Sequence, residues 1–417
     1  MQYGLIGEKL SHSFSKEIHE ALADYTYELC EISRDNLDIF LKKREFSAIN
    51  VTMPYKKEVI PHLDEISDTA ATLQAVNVIV KYDGKLCGYN TDYFGMRDLI
   101  LRSGIDISSK KILILGTGGT SRTSSLVCRD LGASDVMLVS REKRDFAITY
   151  EEAYSNYADA EIIINTTPVG MYPDSYNSPL DISKFSKLCA VFDAVYNPVR
   201  TKIVLDANKL GIHAESGLYM LVSQAVHAIE LFTGKEFDGS TTDRIYQKTL
   251  KEKENIVLIG MPSSGKTTVG RIIADRLGRE LIDLDDEIEK HIGTTIAEYF
   301  LSHTEKDFRD IETEITKIVS KKNGVVIATG GGCILREENV AALCSNGRIY
   351  FIDRDVNSLT PTDSRPLATK KEAILKLYEA RYALYLKSCD CHVDGNLLPT
   401  EEAEFIIKEF FNEDISN

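Results

Sequence analysis

The sequence predicts an α/β chain of three successive domains: a small α/β domain, a doubly wound domain, and a third with a parallel sheet around a phosphate-binding loop. Three observations predict it. Short apolar runs alternate with helical patterns over roughly the first 250 residues, as repeated βα units require. The run Lys111-Ile-Leu-Ile-Leu115 enters the glycine turn Gly116-Thr-Gly118-Gly119. A second run, Ile256-Val-Leu-Ile259, enters Gly260-Met-Pro-Ser263-Ser264-Gly265-Lys266-Thr267-Thr268, which satisfies G-x-x-x-x-G-K-[ST] at every fixed position.

In the first domain, residues 1–104, the strand-like runs are Tyr3 to Gly7, Tyr25 to Ile32, Ala48 to Thr52 and Val76 to Lys81. Helical patterns, Lys16 to Ala23 and Leu37 to Lys43, lie between them. In the second, 105–224, a helix is expected from the glycine turn to Leu131, then strands at Val136 to Val139, Ile162 to Asn165 and Ala190 to Phe192. Such a series is a Rossmann-type arrangement. A helix at about 225–250 is expected to complete the first domain. Ser240 to Asn255, rich in Lys, Thr and Glu, reads as helical, leaving a linker of a few residues near Glu252 to Glu254. In the third domain, 255–417, Val269, Ile272, Ile273 and Leu277 mark the helix after the phosphate loop. Leu281-Ile-Asp283-Leu-Asp285 reads as a strand ending in carboxylates, Val325 to Thr329 as a buried strand opening into Gly330-Gly331-Gly332, and Lys370 to Lys387 as a long helix.

A chain of 417 residues suits two or three such domains, and 43% hydrophobic composition suffices for their cores. The net charge is −15, and residues 1–253 and 254–417 are each acidic in balance. That disfavours a nucleic-acid partner, and an anionic substrate must be drawn in by individually placed Lys and Arg. No apolar stretch approaches a membrane span. Without a basic leader before the first strand-like run, a cytoplasmic location is expected. The eight cysteines are scattered singly, apart from Cys389-Asp-Cys391, and read as reduced structural thiols. Nothing in the sequence indicates the oligomeric state.

The phosphate loop aims backbone N–H groups and a helix dipole at a polyphosphate. Lys266 is then expected to reach its outer phosphates and Thr267 to hold Mg²⁺, with Asp283 assisting the metal through water. Asp285 is placed to accept a proton from an attacking hydroxyl, or else to cap its helix. The glycine turn of the second domain has Ser121 where a dinucleotide fingerprint usually has its third glycine. The end of the next strand is Ser140-Arg141, with Lys143 and Arg144 behind it, and a guanidinium there suits a 2′-phosphate, hence NADP. Glu142 opposes that reading, and a solvated loop charge pair is the plain alternative for Arg141 and Lys143.

Four polar clusters stand at strand ends in the first domain: Ser11-His-Ser13, Asn50-Val-Thr52-Met-Pro-Tyr-Lys56, Ala75-Val-Asn77 and Asn90-Thr-Asp92. Hydroxyls and amides of this kind suit a polyhydroxylated ligand. Lys56 and Asp92 stand out because reducing a carbonyl requires a proton donor, and a carboxylate partner orients and tunes an ammonium. Taken singly they read as a surface lysine and a helix-capping aspartate.

With Asn165-Thr-Thr-Pro-Val-Gly-Met171, Asp193-Ala-Val-Tyr196-Asn-Pro198 and Gly217-Leu-Tyr-Met-Leu-Val-Ser-Gln224, these motifs follow in the order of shikimate dehydrogenase, which residues 1 to about 250 resemble. The resemblance implies NADP-linked reduction of 3-dehydroshikimate to shikimate. It implies Lys56 and Asp92 as the catalytic pair, and Ser11, Ser13, Asn50, Thr52, Asn77, Tyr196 and Gln224 around the substrate. Gly116, Gly118, Gly119, Ser140 and Arg141 would serve the cofactor. Two departures, Glu142 and Asp145, touch cofactor preference more than the reaction.

The third domain adds Phe308-Arg309-Asp-Ile-Glu312, Ser364-Arg365-Pro366-Leu367 in a stretch that suggests a mobile lid, and Arg381 on the long helix, whose position alone would suggest a solvated side chain. In this order the set resembles shikimate kinase over residues 255 to about 412, with a shorter and less glycine-rich lid. The resemblance implies ATP and Mg²⁺ at Gly260, Ser263 to Thr268 and Asp283. It implies shikimate at Arg309, Gly330, Gly331, Gly332 and Arg381, Asp285 as base, and Arg365 as the lid arginine. The expected product of the first reaction is the acceptor of the second, which implies a bifunctional enzyme of the shikimate pathway. A quinate-using dehydrogenase fused to a small-molecule kinase, or a non-catalytic sensor, are the alternatives.

Overall fold

The computed structural model of the chain describes residues 1–10, 14–360 and 370–412. They divide into two compact units, one of Met1–Asn197 with Asp206–Thr249, the other of Pro198–Leu205 with Leu250–Asn417.

The first unit holds two six-stranded sheets. The strands of one are Tyr3–Gly7 (β1), Tyr27–Glu31 (β2), Ala48–Val51 (β3), Glu65–Ile66 (β4), Val78–Tyr82 (β5) and Lys85–Tyr89 (β6), in the order β2-β1-β3-β5-β6-β4. β1 pairs in parallel with β2 and β3, whereas β5 runs antiparallel to both neighbours. Alternate side chains of a strand point to opposite faces. Ile6 accordingly packs with Leu37, Leu41, Ile49 and Tyr55, while Leu5 packs with Tyr27, Ala48, Val78 and Phe232.

The other sheet comprises Lys111–Leu115 (β7), Asp135–Ser140 (β8), Ala147–Thr149 (β9), Ile162–Asn165 (β10), Ala190–Asp193 (β11) and His213–Glu215 (β12). All pairings are parallel, in the order β12-β11-β10-β7-β8-β9. The order reverses beside β7, and such a switch point opens a crevice at the strands' carboxyl ends. The helix Asp92–Arg102 serves this sheet's core through Met96, Leu99 and Ile100, alongside Tyr219 and Met220 of the helix Leu218–Thr233.

The second unit carries Asn255–Ile259 (β13), Leu281–Asp283 (β14), Val326–Ala328 (β15), Gly347–Asp353 (β16) and Cys391–Asp394 (β17). They form a wholly parallel sheet in the order β14-β15-β13-β16-β17. β13 is buried on both faces: Val257 and Ile259 enter one apolar cluster, Ile256 and Leu258 the other. That double burial is why the run reads as continuously apolar. The helix Gly239–Lys253 ends one residue before β13, so only Glu254, itself buried, stands where a linker of a few residues is expected. All eight cysteines are free, and no helix among the described residues is long and apolar enough to cross a membrane.

Candidate active sites

In the first unit a cavity of about 390 Å³ is lined by residues in and just beyond strands of the first sheet, by residues beyond the end of β11, and by helices, among them Asn50, Thr52, Lys56, Asn77, Asp92, Tyr196 and Gln224. Clefts of this size hold small molecules. Lys56 Nζ lies 2.6 Å from Asp92 Oδ2, and the two side chains keep 28% and 14% of their exposure. The ammonium is thus open to a guest yet half removed from water, where an ion pair orients more firmly than at a free surface. Asp92 is held in turn: its Oδ1 accepts from Asn77 Nδ2 at 3.0 Å, and Asn77 Oδ1 accepts from the Thr91 backbone N–H at 2.8 Å. Thr91 occupies the cap position of the helix and Asp92 its first turn, so Asp92 is not the cap that its sequence position suggests. Asn50 Oδ1 accepts from Tyr27 O–H at 2.7 Å.

Among the wall residues that sequence reasoning missed are two titratable ones, Lys9 and His19. Nothing in the order of residues distinguishes Lys9 from other surface lysines. His19 is stacked on Tyr27 with 4.0 Å between ring centroids, and burial lowers its pKa to about 3. Ser11 and Ser13 lie outside the described residues.

At the switch point, Gly116 has φ +111°, a left-handed conformation that side chains resist. A Cβ at Gly118 or Gly119 would meet nothing within 4 Å, so bare backbone at the start of the helix Gly119–Asp130 faces open space. That is the cradle a pyrophosphate needs. Ser121, in the third-glycine place, is buried and donates to the Gly118 carbonyl at 2.8 Å. Ser140 ends β8 and donates to the Glu142 carbonyl, and Arg141 is exposed. Lys143 is taken up by Glu152 at 2.7 Å, which leaves the guanidinium of Arg141 as the nearer candidate for a phosphate.

In the second unit, Gly260, Ser263 and Gly265 all have positive φ and wind the loop from β13 into the helix Lys266–Leu277. Ser264 is fully buried, and Thr268 stands in the helix's first turn. Lys266 is buried, its ammonium donating to the carbonyls of Gly260 at 3.0 Å and Met261 at 2.8 Å. Thr267 Oγ1 donates to Asp283 Oδ2 at 2.6 Å, bringing together the two oxygens that a hard cation would share. Asp283 is the cap of the following helix, accepting from the Asp285 backbone N–H at 3.0 Å, so the capping alternative falls on Asp283 and not on Asp285.

The Asp285 carboxylate faces the glycine loop: a Cβ at Gly330 would come 2.6 Å from Asp285 Oδ1 and 3.2 Å from Glu312 Oε1. One at Gly331 would strike Pro262 at 2.7 Å, and one at Gly332 would collide with the Arg309 guanidinium. The three glycines are therefore demanded by close contact, none of them having a left-handed backbone. Arg309 is buried against Glu312 at 2.7 Å. Burial raises the pKa of Glu312, Arg309 opposes the rise, and Asp285 adds to it. Arg381 is 4% exposed and donates to the Gly331 carbonyl at 3.0 Å, contrary to the solvated arginine that its helical position suggests. Tyr385, one turn on, donates to the same carbonyl at 2.5 Å. Glu312 and Tyr385 were missed as partners, although their spacings of three and four residues from Arg309 and Arg381 are those of helix-surface neighbours. Arg365 and the expected lid around it lie outside the described residues.

Comparison with known proteins agrees with this division. The family model for the shikimate dehydrogenase substrate binding domain matches residues 5–79, and that for shikimate kinase matches residues 262–412. The chain is 38% identical over 267 residues to a shikimate dehydrogenase (NADP(+)) of Clostridium perfringens, an alignment spanning 59% of this chain and 97% of that protein. Among solved structures, a chorismate mutase/shikimate 5-dehydrogenase fusion protein from Clostridium acetobutylicum superposes with TM-score 0.56 at 34% identity, covering 59% of this chain and 96% of the other. Shikimate 5-dehydrogenase from Thermus thermophilus, in complex with NADP(H) and shikimate, gives 0.53 at 29% identity, covering 60% and 99%.

Proposed function

Because the chain belongs to the shikimate dehydrogenase family and carries a shikimate kinase domain behind it, we propose that it reduces 3-dehydroshikimate to shikimate and then phosphorylates the 3-hydroxyl of shikimate. It is an enzyme of the shikimate pathway with an NADP-dependent and an ATP- and Mg²⁺-dependent activity. The observation that carries the direction and the substrate is the Lys56–Asp92 pair in a cavity rimmed by amides and hydroxyls, in the same chain as a kinase loop whose acceptor is that reaction's product.

The domains we assign are 1–104 for substrate, completed by the helix at about 225–250, then 105–224 for the dinucleotide and 255–417 for phosphoryl transfer. NADP(H) supplies the hydride and MgATP the phosphoryl group. The chain's own residues do the rest. Lys56 gives its proton to the oxygen that becomes the new hydroxyl, and Asp92, steadied by Asn77, aims the ammonium and stabilises its charge. Asn50, Thr52, Tyr196 and Gln224 hold the ring's carboxylate and hydroxyls, with Ser11 and Ser13. In the kinase unit, Arg309 and Arg381 fix the substrate over the glycine backbone, Asp285 takes the proton from the attacking hydroxyl, and Lys266 and Arg365 neutralise charge on the moving phosphoryl group. Thr267 would hold the metal, with Asp283 assisting through water.

The test is a coupled one. The purified chain with 3-dehydroshikimate, NADPH and MgATP should form shikimate 3-phosphate. Lys56→Ala should lower reduction by a factor of about 10² to 10⁴ and leave phosphorylation of added shikimate intact. Lys266→Ala should do the reverse. If either substitution silenced both activities in a folded protein, the two-site reading would be wrong. Faster oxidation of quinate than of shikimate would reassign the substrate.

A further inference from the structure

Asp92 and Gln224 reach the dehydrogenase cavity from two different helices. Asp92 begins the helix Asp92–Arg102, and the helix Leu218–Thr233 lends Met220, Leu221, Gln224 and Ala225 to the wall. The two helices touch at Gly95, where a Cβ would come 2.6 Å from the Met220 carbonyl oxygen. Further along the crossing stands a cluster of charge. Asp98 Oδ2 accepts from Ser223 Oγ at 2.7 Å and lies 2.8 Å from His227 Nε2, while His227 Nδ1 lies 2.8 Å from Glu230 Oε2. Both ring nitrogens face carboxylates, so both must carry protons for the two contacts to be hydrogen bonds. Arg97 pairs with the other oxygen of Asp98 at 3.0 Å. Beside the ring, Lys235 and Glu236 line a cavity of about 460 Å³ that His227 and Glu230 also line, which gives solvent a route to the imidazole.

We propose that His227 is a positioning residue of the dehydrogenase reaction: as an imidazolium it pins the helix bearing Gln224 to the helix that begins at Asp92, so that both meet one substrate at a fixed spacing. The inference rests on the reading of that cavity as the substrate site. His227 touches neither substrate nor cofactor and acts through the two helices.

The charge balance fits. Burial disfavours the charged ring, but the hydrogen bonds and charges of Asp98, then of Glu230, outweigh it and raise the pKa of His227. A raised value means that the clamp is complete below the ordinary histidine value and is lost as pH rises through the folded one. Above it, one ring nitrogen presents a lone pair to a carboxylate, and the charged part of the tie is lost, leaving the Ser223–Asp98 hydrogen bond between the helices. Since Gln224, on the helix that His227 pins, is assigned to holding the ring and not to the reacting atoms, its displacement removes uniform binding, and the loss falls on KM for shikimate more than on kcat.

The experiment measures kcat and KM for shikimate oxidation from pH 6 to 9.5 on the full chain, with kinase activity of the same preparation as a control for integrity. The wild type should show KM rising about fivefold or more with pH, with its midpoint above the ordinary histidine value. His227→Gln, which cannot carry the charge, should show the raised KM at all pH values and no step. Asp98→Asn, which removes one carboxylate and keeps its shape, should move the step to lower pH. A His227→Gln enzyme with the wild-type KM and its pH step would overturn the proposal. So would an unmoved step in Asp98→Asn, which also decides the matter should His227→Gln fail to fold. Absence of any nicotinamide turnover in the wild type would instead remove the underlying functional reading.

Discussion

Arg309→Ala should destabilise the second unit through the carboxylate that it strands. Glu312 is 1% exposed, and Arg309 is its hydrogen-bonded cation at 2.7 Å. Deleting one partner of a buried pair costs about 3–5 kcal/mol when the other stays charged. The carboxyl has an escape, which is to take up a proton. At about 1.4 kcal/mol per pH unit, holding that proton at pH 7 against the ordinary value of 4.5 costs about 3.4 kcal/mol, and this caps the loss. Arg381, whose charge also favours ionised Glu312, remains and lowers the cost further, so we expect about 2–3 kcal/mol at pH 7.

The sign with pH follows. Loss of the cation raises the folded pKa of Glu312 further, so the folded state binds more protons than the unfolded chain, and the penalty is full above the folded value and vanishes below the unfolded one. At pH 5.5 the cap falls to about 1.4 kcal/mol. Amide hydrogen exchange read by mass spectrometry, corrected for intrinsic rates, resolves the helix Glu305–Val319 and β15 from the first unit. Protection there should fall about 30- to 150-fold at pH 7 and about tenfold at pH 5.5, and adding Glu312→Gln should recover most of it. An equal loss at both pH values, or no recovery in the double variant, would refute the stranded-carboxylate argument.

Two further outcomes are expected. Thr267→Val removes the hydroxyl that donates to Asp283 at 2.6 Å, and the Mg²⁺ concentration for half-maximal phosphorylation should rise about 10- to 100-fold, with Thr267→Ser near wild type; an unchanged Mg²⁺ dependence would clear Thr267 of the role. Arg141→Ser should raise KM for NADPH about tenfold, as the loss of one exposed charge-assisted hydrogen bond implies, and leave KM for NADH alone. Steady-state kinetics with both cofactors checks this, and parallel changes would point to a general disturbance of the turn.

The phosphate loop was readable because its defining contacts are local: Gly260, Gly265 and Lys266 interact within nine consecutive positions, and a pattern of residue types records that directly. The buried strands β1, β7, β10 and β13 were equally plain, since burial on both faces writes an apolar run. Short strands were not. Glu65–Ile66, Ala147–Thr149 and His213–Glu215 are half-polar segments that become strands by pairing with β6, β8 and β11, and that choice is made by the neighbour. Lys85–Tyr89 and Gly347–Asp353 are strands with readable apolar content that are not among the runs expected from the sequence. Arg381 shows the remaining gap: its burial depends on the Gly331 carbonyl, 50 residues away in the chain, and helical periodicity carries no trace of that.

The stacking of His19 on Tyr27 has a consequence for the cavity that it helps to wall. A ring that takes up a proton only near pH 3 is a spectator throughout the range in which enzymes work. An acid entering this cavity therefore meets no change in charge at His19 between weakly acidic and weakly alkaline conditions. Of the two histidines described beside this site, the one that responds to the medium is His227, in the scaffold behind.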